Sequence, residues 1–549
     1  MSIPSLRAAL AARTLRELDC FFAERITRNL IEERMAVALA AALVSHAVGD
    51  GDVCVDLTLS AGKQLFSGEG FLGIQAPPVE SWRQILVNSP VVGGPGEIKP
   101  LVLDRNRLYL GRYWVFEDEL AERLRAMSGR EAGAIDHTLL RDGLSRLFPG
   151  GDGAVDWQRV AAGIAVLQSF SVISGGPGTG KTHTVTAILA LLIEQAHHRG
   201  DSLRVALAAP TGKAAARLTE SIRSARETLD VTDDVRNAIP DEAQTLHRLI
   251  AMRPGRALPG KNRDNPLHLD LLVIDEASMI DLPLMHRTLA ALPEDAGLIM
   301  LGDKDQLASV EAGSLFGDLC GSGTDPAYSP QLRKALKEVS GDVIGGDESS
   351  RLLGDNIAHL KKSYRFGDHS GIGNLARAVN AGDAGAAKAV LESGGGDITW
   401  ENRPLDQLKE KMAEYAVAAF SPVMASQSAE EALKALGDFR ILCAVRRGPA
   451  GVELINHRVE QALERRGVLR VDGEYYPGRP IMVTGNDYHL GLFNGDIGIL
   501  WPDPDSAGAL RAWFRLADGS LRRVAPNRLP RHETAFALTV HKAQGSEFS

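Results

Sequence analysis

A glycine-rich run at residues 175–182 has the residue types and spacing of a phosphate-binding loop. It follows apolar residues with strand character and precedes a stretch with helical spacing. Glycines let backbone N–H groups surround an anion, and a helix N-terminus adds partial positive charge. In such a loop Lys181 reaches the β- and γ-phosphates of ATP, and Thr182 holds Mg²⁺. The residues assigned to this site are Gly175, Gly176, Pro177, Gly178, Thr179, Gly180, Lys181 and Thr182.

Two adjacent carboxylates, Asp275 and Glu276, follow a second apolar run at residues 271–274. A buried strand that ends in such a pair places one carboxylate near a magnesium ion and the other near an attacking water. We therefore predict that Asp275 holds Mg²⁺ and that Glu276 is the general base. The alternative is a carboxylate pair that caps a helix, but residues 175–182 favour the hydrolytic role. An activated water also favours an ATPase over a small-molecule kinase.

Further short motifs complete an ordered set. The set resembles the RecD family, the alpha subunits of exodeoxyribonuclease V, which are superfamily 1 DNA helicases that move 5′ to 3′. The resemblance runs from about residue 155 to the last residue. The stretches that carry it are residues 157–158 (Q motif), 209–215 (motif Ia), 245–247 (the motif after it), 275–281 (extended Walker B), 302–313 (motif III), 363–366 (motif IV) and 539–548 (motif V).

The resemblance implies further nucleotide contacts. It assigns Gln158 to the adenine and Gln306 to sensing of the γ-phosphate. It assigns Arg365 to an arginine finger that reaches across from the second motor domain, where a guanidinium stabilises charge on the transferring phosphoryl only when the domains close. Gly545 and Glu547, in the motif V-like run, are assigned to the nucleotide as well.

Contacts to DNA are also implied by motif position. Residues between a strand and a helix can offer N–H groups and a hydroxyl to a strand phosphate. The negative net charge of the chain is compatible with this role, because a narrow channel between domains needs few basic groups. The residues assigned to DNA are Pro210, Thr211, Lys213, Thr245, His247, Thr539 and His541.

The elements that position these residues alternate between apolar strands and helical stretches, as in a doubly wound α/β domain. With the resemblance, the predicted fold class is α/β, with two RecA-like P-loop motor domains, a small SH3-like β-barrel insertion and an N-terminal α+β domain. The predicted domains are residues 1–110 (N-terminal, partner docking), 111–154 (helical linker), 155–345 (motor domain 1A), 346–477 (first part of motor domain 2A), 478–530 (domain 2B) and 531–549 (return to domain 2A).

Composition places the chain among globular proteins. It has 549 residues, and 61 Lys and Arg against 70 Asp and Glu give a net charge of −9, which argues against non-specific coating of nucleic acid. The four cysteines form no CxxC pair, so neither a disulfide framework nor a cysteine zinc site is expected. The most apolar stretch is too short to span a bilayer. We expect a cytoplasmic protein without a membrane partner.

These observations and the resemblance together predict an ATP- and Mg²⁺-dependent helicase subunit. It would process double-strand DNA ends for recombinational repair, bind single-stranded and duplex-end DNA, and assemble with the beta and gamma subunits of exodeoxyribonuclease V. The alternatives are a stand-alone helicase of the same family and a scaffold subunit with weak ATPase activity. Intrinsic nuclease activity is not expected, because Glu97 and Lys99 match only half of a nuclease motif.

Two expectations concern the ends of the chain. The N-terminal domain is expected to dock a larger partner, with Tyr109, Tyr113, Trp114 and Phe116 as interface anchors or, equally, as local core. At the other end, the family continues into a motif VI that supplies a second arginine to the γ-phosphate. The sequence stops at Ser549, so we expect a longer natural protein and a poor ATPase without the missing part.

Overall fold

The computed structural model describes most of the chain. The described residues are 3–130, 133–150, 155–253, 255–256, 258–309, 311–321, 327–345, 353–367, 370–394, 396–487, 489–516, 519–546 and 548.

The N-terminal unit combines helices with two small sheets. Its helices are α1 (Pro4–Ala11), α2 (Glu17–Ile26), α3 (Arg34–Gly49), α4 (Leu57–Ser60) and α5 (Val79–Val87). Its strands are β1 (Cys54–Asp56), β2 (Gln64–Leu65), β3 (Ile74–Gln75), β4 (Val92–Gly93), β5 (Leu101–Asp104) and β6 (Arg107–Leu110). The larger sheet has the order β1-β6-β5-β4, and β5 and β6 form the hairpin expected from the sequence.

The core of this unit forms around α3, the most apolar stretch of the sequence. Residues 36–42 of α3 are buried in succession, so this helix is apolar on all sides because neighbours cover it. Trp82 of α5 is fully buried, and its Nε1 donates a hydrogen bond to the Ala36 carbonyl at 3.0 Å.

A buried carboxylate joins α2 to α3. Asp19 is fully buried and accepts hydrogen bonds from the Arg16 guanidinium at 2.8 and 2.9 Å and from Ser45 Oγ at 2.7 Å. Burial alone raises the pKa of Asp19, but the hydrogen bonds from Arg16 and Ser45 outweigh it and lower the pKa below its ordinary value. Asp19 is therefore charged and fully paired at neutral pH.

The first α/β unit is built on six parallel strands. Its strands are β7 (Phe170–Gly175), β8 (Val205–Ala209), β9 (Ala243–Thr245), β10 (Leu271–Ile274), β11 (Gly297–Gly302) and β12 (Ile357–Leu360). Its helices are α6 (Gly111–Ser128), α7 (His137–Leu147), α8 (Trp157–Leu167), α9 (Lys181–His198), α10 (Gly212–Thr228), α11 (Asp233–Ala238), α12 (Leu246–Leu249), α13 (Leu282–Ala291), α14 (Leu315–Cys320) and α15 (Pro330–Ser340). The strand order is β12-β7-β11-β10-β8-β9, which gives a RecA-like P-loop α/β fold.

Two predicted domain boundaries are wrong for this unit. Residues 111–130 and 133–150 are not a linker, because Leu120 of α6 and Leu144 of α7 lie in the hydrophobic clusters that cover the sheet. The boundary after residue 345 is also wrong, because β12 lies beyond it and pairs with β7. The unit therefore runs from α6 to the end of β12.

The second α/β unit is smaller. Its helices are α16 (Gly371–Asn380), α17 (Ala384–Ser393), α18 (Leu405–Ala425), α19 (Ala429–Leu436), α20 (Val452–Arg465) and α21 (Val540–Ala543). Its strands β13 (Ile441–Cys443) and β19 (Ala537–Thr539) pair in parallel. Phe420 and Phe536 meet edge to face in its core, with ring centroids 4.9 Å apart.

A five-stranded antiparallel sheet is inserted between α20 and β19. Its strands are β14 (Pro480–Val483), β15 (Ile497–Asp503), β16 (Ala509–Arg515), β17 (Leu521–Val524) and β18 (His532–Thr534). The order is β17-β16-β15-β14-β18, so β18 extends the insertion beyond the predicted end at residue 530. The SH3-like character of this insertion and the RecA-like character of the second unit stay predictions.

Replacement of Asp19 tests the core of the N-terminal unit. We expect Asp19→Ala to lower the free energy of unfolding by about 2–3 kcal/mol at pH 7, because Ser45 and Arg16 lose a buried acceptor. Since the folded-state pKa is lowered, the stabilisation is present above the unfolded-state pKa of about 3.9 and is lost as the pH falls through the folded-state value. The difference between variant and wild type should therefore shrink in acid.

Urea denaturation at several pH values measures this difference. Glu17→Ala is the matched control, because Glu17 is an exposed carboxylate on the same helix. Equal urea midpoints for Asp19→Ala and Glu17→Ala at pH 7 would contradict the stabilising role of the buried carboxylate.

Candidate functional site

The phosphate loop lies where β7 ends and α9 begins. Gly178 and Gly180 have φ values of +73° and +79°, which favour glycine. Both also lie against other side chains: a Cβ on Gly178 would be 2.3 Å from Cβ of Arg365, and one on Gly180 would be 2.3 Å from Nε2 of Gln158. The loop conformation therefore requires glycine at these two positions.

Lys181, the first residue of α9, folds back over the loop. Its Nζ donates hydrogen bonds to the carbonyls of Gly175 at 2.5 Å and Gly176 at 3.2 Å. Thr182 follows in the first helical turn and is half-buried. The ammonium thus lies at the carboxyl edge of the sheet, which is where the sequence predicts the phosphates of a nucleotide.

Three carboxylates face this edge from neighbouring strand ends. Asp275 and Glu276 follow β10, and Asp303 follows β11. Burial raises the pKa of all three, and the charge of Lys181 partly offsets the effect in each. Glu276 also has a left-handed backbone with φ +52°, a conformation that is costly for a residue other than glycine and is found preferentially at functional sites.

Asp303 was not assigned by the sequence reasoning. It is only 7% exposed, and its Oδ1 accepts a hydrogen bond from the Asp305 N–H at 3.1 Å. The available signal was its place directly after an apolar run, the same place that Asp275 has after residues 271–274. The structure therefore adds a third carboxylate to the predicted pair.

The oxygens at this edge fit a magnesium ion. A threonine hydroxyl and one or two carboxylates are hard ligands, and Mg²⁺ is usually held by few protein groups together with phosphate oxygens. In the described part of the chain no group of three or more His, Cys, Asp or Glu residues has the geometry of a metal site. Thr182 and Asp275 are thus the residues that would hold Mg²⁺ together with a nucleotide.

Gln158 and Gln306 lie on different elements of the first unit. Gln158 Nε2 donates to the Thr179 carbonyl at 2.9 Å. Gln306 follows β11, and its Oε1 accepts from Ser278 Oγ at 3.3 Å. The structure thus places Gln158 beside the phosphate loop and connects Gln306 to the stretch that follows the Asp275–Glu276 pair.

The position of Arg365 differs from the prediction. It lies in the segment directly after β12, which belongs to the first unit, so it does not reach across from a separate domain. The Tyr364 N–H donates to the Gly178 carbonyl at 2.8 Å, and Ser363 Oγ donates to the Pro177 carbonyl at 3.2 Å. The pairing of β12 with β7 brings this segment onto the loop. Tyr364, an exposed aromatic residue beside the loop, was not assigned by the sequence reasoning.

The threonines assigned to DNA share one local structure. Thr245 and Thr539 are the last residues of β9 and β19, Thr211 follows β8 by two residues, and each Oγ1 accepts an N–H of the helix that follows. A hydroxyl that accepts in this way keeps its own proton for another acceptor. Pro210 precedes the first of these caps and is half-buried, whereas His247 and His541 are exposed in the short helices after the other two.

Lys213 and Gly545 are placed differently from the prediction. Lys213 Nζ donates to Ser546 Oγ, and burial lowers the pKa of this amine. The Gly545 carbonyl accepts from the Arg217 guanidinium at 3.1 Å. Both residues therefore belong to the contact between the two α/β units, and Glu547, assigned to the nucleotide with Gly545, lies outside the described residues.

A cleft of about 400 Å³ lies mainly on the first unit, at its contact with the second unit. His247 and Arg287 line it from the first unit, and Gln544 lines it from the second. Gln544 Nε2 also donates to the Leu307 carbonyl at 3.0 Å. The cleft thus lies beside residues 308–309 of the loop that carries Gln306, where this loop contacts the second unit.

Comparison with known proteins decides the family. The profile of the RecBCD enzyme subunit RecD N-terminal domain matches residues 11–109, and the profile of an AAA domain matches residues 158–312. The RecBCD enzyme subunit RecD of Mycolicibacterium smegmatis is 39% identical over 540 residues, which cover 98% of this chain and 87% of that protein. The chain belongs to the RecD family. The prediction of this family from the ordered motifs is confirmed.

Two further relatives differ in how much of the chain they match. The Haemophilus influenzae RecBCD enzyme subunit RecD is 33% identical, with 98% of this chain and 89% of the relative covered. The ATP-dependent RecD2 DNA helicase of Deinococcus radiodurans is 29% identical over 380 residues, which cover 69% of this chain and 42% of that helicase. Similarity to RecBCD-type members therefore extends through the N-terminal unit.

Within the described residues, no helix combines the length and the apolar character that a membrane span requires.

A substitution at Gly180 tests the loop geometry. We expect Gly180→Ala to weaken ATP binding about tenfold, because strain of roughly 1–3 kcal/mol arises from the positive φ and from the contact with Gln158. Gly94→Ala is the matched control, since Gly94 lies outside the loop and a Cβ there meets nothing within 4 Å. Titration with a fluorescent ATP analogue measures both. Equal affinities for the two variants would contradict the described loop conformation.

Proposed function

We propose that this chain is an ATP-dependent DNA helicase that moves 5′ to 3′ and acts as the RecD subunit of a RecBCD-type helicase–nuclease. It would assemble with RecB and RecC, the beta and gamma subunits, and process double-strand DNA ends in the cytoplasm for recombinational repair. Family membership supports the class of activity. The observation that carries the mechanism is the meeting of Lys181, Asp275 and Glu276 at one sheet edge, beside the contact between two α/β units.

Each group at this edge has a chemical role in hydrolysis. Lys181 would exchange its two loop carbonyls for the β- and γ-phosphates of ATP. Thr182 and Asp275 would hold Mg²⁺, which supplies charge neutralisation at the transferring phosphoryl when bound. Glu276 would accept a proton from the attacking water, a role that its raised pKa suits because a general base works best with a pKa near the working pH. Gln158 would hold the base side of the nucleotide.

A cation close to the loop would stabilise the negative charge on the transferring phosphoryl. Arg365 is anchored there through the hydrogen bond between the Tyr364 N–H and Gly178. Gln306 would contact the γ-phosphate, and the loop that carries Gln306 contacts Gln544 of the second unit. This loop contacts the second unit, so ATP hydrolysis would change the relative position of the two units. A translocating helicase requires such movement.

The strand ends support a path for one DNA strand. The capping threonines Thr211, Thr245 and Thr539 present hydroxyls and first-turn N–H groups at the carboxyl edges of two sheets. His247 lines the cleft at the contact between the units, and His541 lies beside the third cap. A phosphate backbone that passes along these edges would contact both units at once.

The N-terminal unit has the surface expected of a docking module. Leu18, Phe21, Ile31, Leu72 and Ile98 are between 63% and 99% exposed on this unit. Large exposed apolar side chains of this kind mark protein interfaces.

Of the four aromatics proposed as anchors, Tyr109 and Tyr113 are buried, so these two belong to the local core. We propose that RecB or RecC covers the exposed apolar side chains instead.

A stand-alone helicase of the same family is the second candidate. The similarity to the Deinococcus radiodurans RecD2 helicase favours it, but that similarity covers only 42% of the relative. The match to the N-terminal domain of RecBCD enzyme subunit RecD favours the subunit role.

Replacement of Lys181 tests the nucleotide site. We expect Lys181→Ala to lower DNA-stimulated ATP hydrolysis at least about a hundredfold, because the variant loses the charge at the transferring phosphoryl. Lys388→Ala, at an exposed lysine of α17, should keep the wild-type rate. Phosphate release in the presence of single-stranded DNA measures both. A folded Lys181→Ala protein with the wild-type rate would refute the assignment of the site.

Direction of movement is tested with tailed duplexes. We expect ATP-dependent strand displacement from a duplex with a 5′ single-stranded tail and none from a blunt control of the same sequence. Lys181→Ala provides the matched inactive protein. Displacement from a 3′ tail alone would show that the proposed 5′-to-3′ direction is wrong.

A further inference from the structure

Three consecutive residues of the second unit contact three residues of the first unit. We call residues 544–546 the bridging segment. Gln544 donates to the Leu307 carbonyl, the Gly545 carbonyl accepts from Arg217, and Ser546 Oγ accepts from Lys213. Residues of one short turn are thus held by α10 and by the loop after β11.

Arg217 provides the hydrogen bond from the first unit to the main chain of this segment. A guanidinium offers planar donors in a fixed arrangement, so a hydrogen bond to a carbonyl also fixes the orientation of that carbonyl. Gly545 has φ +66°, so the segment turns sharply at the residue that Arg217 holds. The turn is closed by a hydrogen bond from the Ser546 N–H to the Ala543 carbonyl at 2.9 Å.

The bridging segment connects two parts of the proposed mechanism. On one side, Gln544 holds the carbonyl of Leu307, the residue after Gln306. On the other side, Arg217 belongs to α10, the helix capped by Thr211 at the proposed DNA contact. A change in α10 on DNA binding therefore reaches the loop of Gln306 through Arg217 and Gly545.

We propose that Arg217 is a positioning residue that seats the bridging segment and thereby couples DNA binding at α10 to ATP hydrolysis. The inference rests on the proposed function, because it names the residue through which the two sites of that function communicate. The guanidinium of Arg217 also interacts electrostatically with Asp275 and Glu276. The substitution should change the rate of turnover more than the binding of either ligand, and hydrogen exchange identifies the part of the effect that comes from the bridging segment.

The test compares three variants of the full chain. Arg217→Met removes the charge and the donors but keeps an unbranched side chain. Arg217→Lys keeps the charge and one flexible donor group. Arg226→Met is the matched control on the same helix, because Arg226 donates to the Ile239 carbonyl and lies 3.8 Å from Asp241, both within the first unit.

Steady-state kinetics is the first measurement. We expect Arg217→Met to lower kcat for ATP in saturating single-stranded DNA about tenfold, the usual size for a lost hydrogen bond to a charged group. KM for ATP and Kd for the DNA should stay within about twofold, and Arg217→Lys should recover most of the lost rate. Wild-type kcat for Arg217→Met would overturn the proposal. A loss carried by KM or by DNA affinity would also overturn it, since Arg217 would then act as a ligand contact.

Hydrogen exchange is the second measurement and needs no activity. Amides of residues 540–546 should exchange faster in Arg217→Met than in wild type or Arg226→Met, without nucleotide or DNA. Unchanged exchange would overturn the proposal, whatever the kinetics. If the wild-type chain shows no DNA-stimulated ATPase, the proposed function fails, while hydrogen exchange still decides whether Arg217 seats the segment.

Discussion

The parallel register of the six-stranded sheet is the constraint on which the site depends. The strands end at the same edge, so Gly175 at the end of β7, Asp275 after β10 and Asp303 after β11 lie on neighbouring strand ends. These residues are far apart in the sequence, and the register of the strands brings them to the same edge. Slippage of one strand by a residue would turn its side chains to the other face and remove its carboxylate from the site.

The outer strand β12 extends this constraint to the phosphate loop. Its pairing with β7 carries the chain past the loop at residues 363–365, where main-chain and side-chain hydrogen bonds attach it. Arg365 is therefore set by backbone pairing. The main chain beside Arg365 is thus attached to the phosphate loop, while Gln544 of the second unit contacts the loop that carries Gln306.

The sequence predicts those features that depend on local pattern. Residues 271–274 form a strand as expected, because a buried parallel strand reads as a continuous apolar run, and residues 175–182 form the loop that their glycines require. Strand β12 was missed, because a strand of four residues that includes His359 lies beyond a polar, glycine-rich stretch. Its partner β7 lies nearly two hundred residues earlier, and no local signal records that pairing.

Side-chain direction is the other feature that sequence spacing does not give. Lys213 follows Thr211 by two residues, yet its ammonium is turned to Ser546 and away from the capped strand end. Likewise, the N-terminal aromatics could be named from the sequence, but only packing shows that Tyr109 and Tyr113 are core.

The hydrogen bonds of Lys181 affect the free energy of nucleotide binding. Its ammonium is already satisfied by two carbonyls of the loop, so an incoming triphosphate meets a donor that must first be released. The net gain from this lysine is then the difference between two sets of hydrogen bonds. The free energy that this lysine contributes to nucleotide binding is therefore smaller than the strength of its hydrogen bonds to phosphate alone.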